Sequence, residues 1–91
     1  METECRAIIQ RCGEENQLNI AIEEMSELTK CITKYVRYPV KELHYDHIKE
    51  ELADVLIMAK QVQIVFSIPE EELKTEIRFK LERTEKRLET D

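Results

Sequence analysis

Apolar residues recur along almost the whole chain at steps of three and four, the period of an α-helix and not the alternation of a half-buried strand. From about Glu14 to Val36 the recurring set is Leu18, Ala21, Ile22, Met25, Leu28, Ile32 and Tyr35 or Val36. A second long run begins between Val40 and Asp46 and reaches about Phe66. It carries Ile48, Leu52, Val55, Ala59, Val62 and Phe66, with Ala53, Ile57 and Ile64 widening its apolar side. Between the two, Arg37-Tyr38-Pro39 stops the first, because a residue before proline is pushed out of the helical region.

Shorter helices are predicted on either side. One covers Glu4 to about Cys12, with Thr3 as N-cap and Gly13 as a left-handed residue just past its end. The other runs from Ile68 to about Leu88 on the stripe Leu73, Ile77, Leu81, Thr84 and Leu88. Ser67-Ile68-Pro69-Glu70 reads as its capping box, with Ser67 as N-cap, Glu70 at the third position and Pro69 in the first turn, where its missing N–H is harmless.

One glycine and two prolines in 91 residues leave almost none of the punctuation that strands and hairpins need, so the expectation is a single all-α domain over 1–91. It is a bundle of about four helices, two long and central, with shorter N- and C-terminal ones. Helices of about 22 residues are roughly 33 Å long, and so small a chain cannot cover both broad apolar sides of such a pair. Completion by oligomerisation is therefore expected, as a homodimer across a two-fold axis or a homotetramer.

Charge narrows the partners. The net charge is −6 with no basic block, which argues against nucleic acid and leaves small cationic ligands or metals open. Three cysteines, no Cys-x-x-Cys, no signal peptide and no apolar run of about 18 residues point to a reduced cytoplasm and no membrane. Cys5 and Cys12, beside Ile8 and Ile9, are expected on one side of the first helix as small buried hydrophobes.

Against this background two acidic pairs stand inside the two most apolar segments, in "IEEMSEL" and "EELADVL". Acidic pairs three apart are common in so acidic a chain, and Glu82 with Glu85, among Arg83, Lys86 and Arg87, is an ordinary solvated face. Glu24 differs: its helical neighbours at three and four residues are Ile20, Ala21, Glu27 and Leu28. Glu51 and Asp54 likewise have no lysine or arginine three or four residues away on their helix, and of the four acids only Glu27 has one, Lys30. Carboxylates beside an apolar face lose hydration and repel one another unless a cation or a proton joins them. If the two helices pack antiparallel, Glu24, Glu27, Glu51 and Asp54 converge into an all-oxygen site that suits Mg²⁺, or Mn²⁺. A di-iron bundle would call for Glu-x-x-His, and no histidine here follows a glutamate by three; His44 and His47 read as capping or loop residues, His47 at the edge of the site.

Glu24-x-x-Glu27 and Glu51-x-x-Asp54, on two helices with a short loop between them, resemble the signature of the MazG-like all-α nucleoside triphosphate pyrophosphohydrolases. "EENQLNIAIEEMSEL", "EELADVLIM" and "KLERTEKRL" fall in that family's order along most of the chain. The resemblance implies a Mg²⁺-dependent hydrolase that converts a nucleoside triphosphate to the monophosphate and pyrophosphate, with a role in cleaning the nucleotide pool. It implies Glu24, Glu27, Glu51 and Asp54 as metal ligands, and Glu23 or Glu50 as residues that support them or help activate water. Lys80 and Arg83 match the family's basic Lys-x-x-Arg for phosphate, whereas Thr84 stands where relatives often have asparagine. Gln17, seven residues before Glu24, is a candidate to read a base edge, against the plainer expectation of a satisfied surface amide. The rival expectation is a non-catalytic helical oligomer, a scaffold or regulatory subunit, in which the acidic pairs meet Lys30, Lys34, Lys80 or Arg83 as interhelical salt bridges.

Overall fold

The computed structural model describes residues 1–90, in four α-helices and no strand: α1 (Glu2–Cys12), α2 (Glu14–Arg37), α3 (Lys41–Val65) and α4 (Glu70–Thr90). The all-α, four-helix expectation holds. Two boundaries shift. The first helix begins at Glu2 with Met1 before it, so Thr3 lies inside the first turn and caps nothing, and the fourth begins at Glu70 rather than Ile68. The third begins at Lys41, inside the expected range, and this early start puts His44 and His47 inside a helix and not in a loop.

Helices α2 and α3 form an antiparallel hairpin across the turn at Tyr38–Val40. Tyr35 meets His44 edge-to-face with ring centroids 5.8 Å apart, and Gln17 reaches Gln61 at 2.7 Å, so partners run in opposite directions along the two helices. On each helix a line of less exposed positions steps by four and three. On α2 it is Gln17, Ala21, Glu24, Leu28, Cys31 and Tyr35; on α3 it is His44, Ile48, Glu51, Val55, Met58 and Val62, with buried Gln61 beside it. This is the period of two helices wound against each other. Helix α1 lies across them with the Cys5 sulfur 3.9 Å from the Ile57 carbonyl oxygen. Cys5 is buried as expected, but Cys12 is exposed: at the last position of a short helix it lies beyond the reach of α3.

The buried hydrophobic core is small, consisting of Cys5, Ile9, Ala21, Cys31 and Met58. Much of the apolar stripe predicted for the long helices faces outward instead, including Ile22, Met25, Ile32 and Val36 on α2 and Leu52, Ile57 and Phe66 on α3, and Leu56, outside that stripe, is exposed as well. Helix positions follow at 100° intervals, and antiparallel neighbours turn like-handed flanks to the same side. The hairpin therefore has an acidic side, with Glu24, Glu51 and Asp54, and an apolar side, with Ile22, Met25, Ile32, Leu52 and Leu56.

The turns decide where the helices go. Gly13 takes φ 93° and ψ 145°, a conformation reserved for glycine, and serves both as the end of α1 and the start of α2. The expected capping box at α4 does not form. Ser67 is itself left-handed at φ 54°, its N–H donates to the Ile64 carbonyl at 3.0 Å, and the Ile68 N–H donates to the Gln63 carbonyl at 3.0 Å. That pair of bonds is a Schellman motif closing α3. Pro69 then leads into α4, its carbonyl accepting from the Leu73 N–H at 3.1 Å. Among the described residues α4 does not pack along another helix. Its direction is set at its root, where Lys60 Nζ lies 3.4 Å from Glu70 and 3.5 Å from Glu2, and Gln63 Nε2 donates to Glu70 at 3.0 Å. No described helix is long and apolar enough to cross a membrane.

Candidate metal centre

Three of the four predicted ligands converge. Glu24 from α2 and Glu51 and Asp54 from α3 each place one carboxylate oxygen within 4.8 Å of the other two. The local reason is the hairpin register: Glu24 and Glu51 are both on the inward four-three line, and Asp54, one turn after Glu51, leans over the same edge. Glu51 is enclosed, with its side chain 15% exposed, and its Oε2 is buried without a hydrogen-bond partner. Native proteins rarely leave such an atom alone unless something else meets it.

The electrostatics are those of carboxylates crowded together. Desolvation pushes the Glu24 carboxyl above its usual 4.5, and the charges of Asp54 and then Glu51 push it further the same way. Cys31, buried one turn before Tyr35, has its thiol raised from the usual 9.0 by burial first and by the charge of Glu51 next. Among the described residues no lysine or arginine nitrogen lies within 4.0 Å of Glu24, Glu51 or Asp54. Among the described residues the basic group within that distance is His47, whose Nε2 lies 3.8 Å from Glu51 Oε1.

The donor set fits a hard cation. It is all oxygen, and ligands on opposite sides of Mg²⁺, Mn²⁺ or Ca²⁺ stand about 4–5 Å apart, the span seen here. Soft-metal chemistry has no footing, since no cysteine is among the three converging residues and burial pushes the thiol of Cys31 up, which keeps it protonated.

The other predicted residues are placed differently. Glu27 is exposed and turned to Lys30 Nζ at 3.2 Å, outside the three-carboxylate group. Glu23 and Glu50 are exposed, each one residue before a converging acid. Gln17 is not a surface amide: it is buried, donating through Nε2 to Gln61 Oε1 at 2.7 Å and accepting from Asn16 Nδ2 at 3.3 Å. Lys80 and Arg83 stand exposed on α4, Arg83 above the Phe79 ring at 5.8 Å, away from the acids within one chain. Gln61 is the residue that sequence reasoning missed. The signal for it was present, because Asp54 and Gln61 are seven apart just as Gln17 and Glu24 are, in the opposite chain direction.

Set against protein families, curated proteins and solved structures, the chain matches none.

Proposed function

We propose that Glu24, Glu51 and Asp54 hold a hard divalent cation, Mg²⁺ or Mn²⁺, and that the chain is a MazG-like nucleoside triphosphate pyrophosphohydrolase. The observation that carries the proposal is the buried, unpartnered Glu51 Oε2 at the centre of three carboxylates that no lysine or arginine among the described residues neutralises. A second support is the doubled Glu-x-x-Glu and Glu-x-x-Asp pattern itself, which places these acids on facing helices.

When bound, such a cation neutralises phosphate oxygens and lowers the pKa of a water ligand. The chain's own part is positional. The hairpin holds three carboxylates at fixed spacing, and Glu51, enclosed, keeps its charge directed at the site rather than at solvent. Glu23 and Glu50, exposed beside the ligands, are candidates to take the proton of an attacking water. Lys80 and Arg83 offer fixed positive charge to a triphosphate, Arg83 in the bidentate manner open to a guanidinium. Their substitution by alanine raises KM more than it lowers kcat if they bind ground-state phosphate.

The test is a panel of ribo- and deoxyribonucleoside triphosphates assayed with Mg²⁺ for pyrophosphate release. At least one substrate is cleaved to monophosphate and pyrophosphate, and Glu24→Ala lowers the rate by roughly a hundredfold or more, as loss of a group that stabilises developing charge does. Release of orthophosphate, or no cleavage across the panel, overturns the reaction assigned.

A further inference from the structure

Three carboxylates leave a divalent cation short of protein partners. Mg²⁺ and Mn²⁺ take about six ligands, and the converging group supplies three side chains. The sequence pattern offers Glu27 as a fourth, but its carboxylate lies 3.2 Å from Lys30 Nζ and outside the group. The side chain that does stand beside the acids is His47.

His47, Glu51 and Asp54 follow one another on α3 at steps of four and three, so they fall within about 60° of arc on one edge of the helix. The hairpin register brings Glu24 of α2 to that same edge. His47 Nε2 is 3.8 Å from Glu51 Oε1. That is too long for a hydrogen bond, which for an N–H donor ends at about 3.2 Å. It is within the span of two donor atoms on one ion, which stand about 3 Å apart at right angles and about 4–5 Å apart across it.

A histidine four residues before a glutamate is also an ordinary surface pair on a helix. What separates this one is its partner, an enclosed glutamate whose other oxygen is buried and unsatisfied. The His47 side chain itself is 54% exposed, so rotation toward the carboxylates is open to it. His44 is committed elsewhere, with Nε2 2.9 Å from the Tyr38 carbonyl oxygen and the ring edge-to-face with Tyr35. The chain has two histidines, so an imidazole on the metal has one ready source.

A ring nitrogen changes which cation the site prefers. Carboxylates serve Mg²⁺ and Mn²⁺ alike, whereas imidazole is a ligand of first-row transition ions and a poor one for Mg²⁺. We propose that His47 is a fourth protein ligand, through Nε2, to the cation held by Glu24, Glu51 and Asp54, and that this nitrogen makes the site prefer Mn²⁺ to Mg²⁺. The inference rests on the metal-binding reading of the acidic group and is independent of the reaction the bound ion serves.

The test is calorimetric titration of the full chain with Mn²⁺ and with Mg²⁺ at about pH 8, where imidazole in general is neutral and able to ligate. Electron spin-echo spectroscopy of the Mn²⁺-loaded protein accompanies it. The wild type binds Mn²⁺ more tightly than Mg²⁺, and its spin-echo decay carries the nitrogen modulation of a coordinated imidazole. His47→Gln removes that modulation and weakens Mn²⁺ by about tenfold or more, while Mg²⁺ affinity changes by less than about threefold and helicity is retained. His44→Gln keeps the modulation, and Glu51→Gln binds neither ion. Bound Mn²⁺ without imidazole modulation, or modulation that survives His47→Gln, overturns the role of His47 and leaves the carboxylate site standing. Equal losses of Mn²⁺ and Mg²⁺ affinity in His47→Gln overturn the preference assigned to the nitrogen. A wild type that binds neither ion overturns the metal-binding reading, and this inference with it.

Discussion

Glu51 is enclosed by the hairpin with one oxygen unsatisfied, and the free protein holds it there against the repulsion of two neighbours. Glu51→Gln removes that repulsion, so the metal-free variant melts at the wild-type temperature or above it. Mg²⁺ then stabilises the wild type, by about 2.7 kcal/mol at a hundred times its dissociation constant, and leaves the variant unmoved. If the acids instead met an interhelical cation, the same change would destabilise the protein and Mg²⁺ would make no difference. Glu24 adds a pH signature. Its pKa is raised on folding, so the stability it contributes is fully present below the usual 4.5 and is lost as pH rises through the raised value. Glu2, Glu4 and Glu70 are shifted downward and act below 4.5, so they do not obscure it. Metal-free melting temperature therefore falls as pH rises from 4.5, and saturating Mg²⁺, which binds the ionised form, removes the fall. Buffer-matched thermal melts read both effects. The convergence of Glu24, Glu51 and Asp54 was legible because helical spacing alone determines which cations a carboxylate can reach along its own helix. The burial of Gln17 was not, since an amide's partner depends on the register of a second helix. Gln17→Ala strands Gln61 Oε1 and costs about 1–3 kcal/mol in chemical denaturation.

The helices themselves were readable because a 3.6-residue period persists whatever the tertiary contacts are. Their ends were less so. Ser-Ile-Pro-Glu satisfies the residue preferences of a capping box, but Ser67 is claimed by the end of the preceding helix, where a Schellman turn needs a left-handed residue. The two readings compete for one residue, and α3 prevails because its motif makes two backbone hydrogen bonds where a cap makes one from a side chain. Ser67→Gly is therefore expected to stabilise the protein by about 0.5–1 kcal/mol, by relieving positive φ. Were Ser67 an N-cap, replacing its hydroxyl would lower stability or leave it nearly unchanged. Gly13→Ala goes the other way. Open space surrounds a Cβ there, so the loss, about 1–3 kcal/mol in urea midpoint analysis, comes from backbone strain alone.

At the scale of the molecule, the sequence pattern announced more apolar surface than two helices can hide, and the structure says where that surface lies. What the pattern could not show is that α4 leaves the bundle altogether, because its stripe has the same period as a packed helix. The turn chemistry and Lys60 decide its direction, and both depend on side chains meeting across three helices. The lopsided distribution of contacts also bears on how the chain reaches its final state. Most tertiary contact joins α2 to α3, neighbours across a three-residue turn, so the search that builds the hairpin is short-range and fast. The apolar flank is hidden later, if another chain hides it, by collision between molecules. Stopped-flow refolding should accordingly divide into a rapid helical phase whose rate ignores protein concentration and a slower phase whose rate rises in proportion to it.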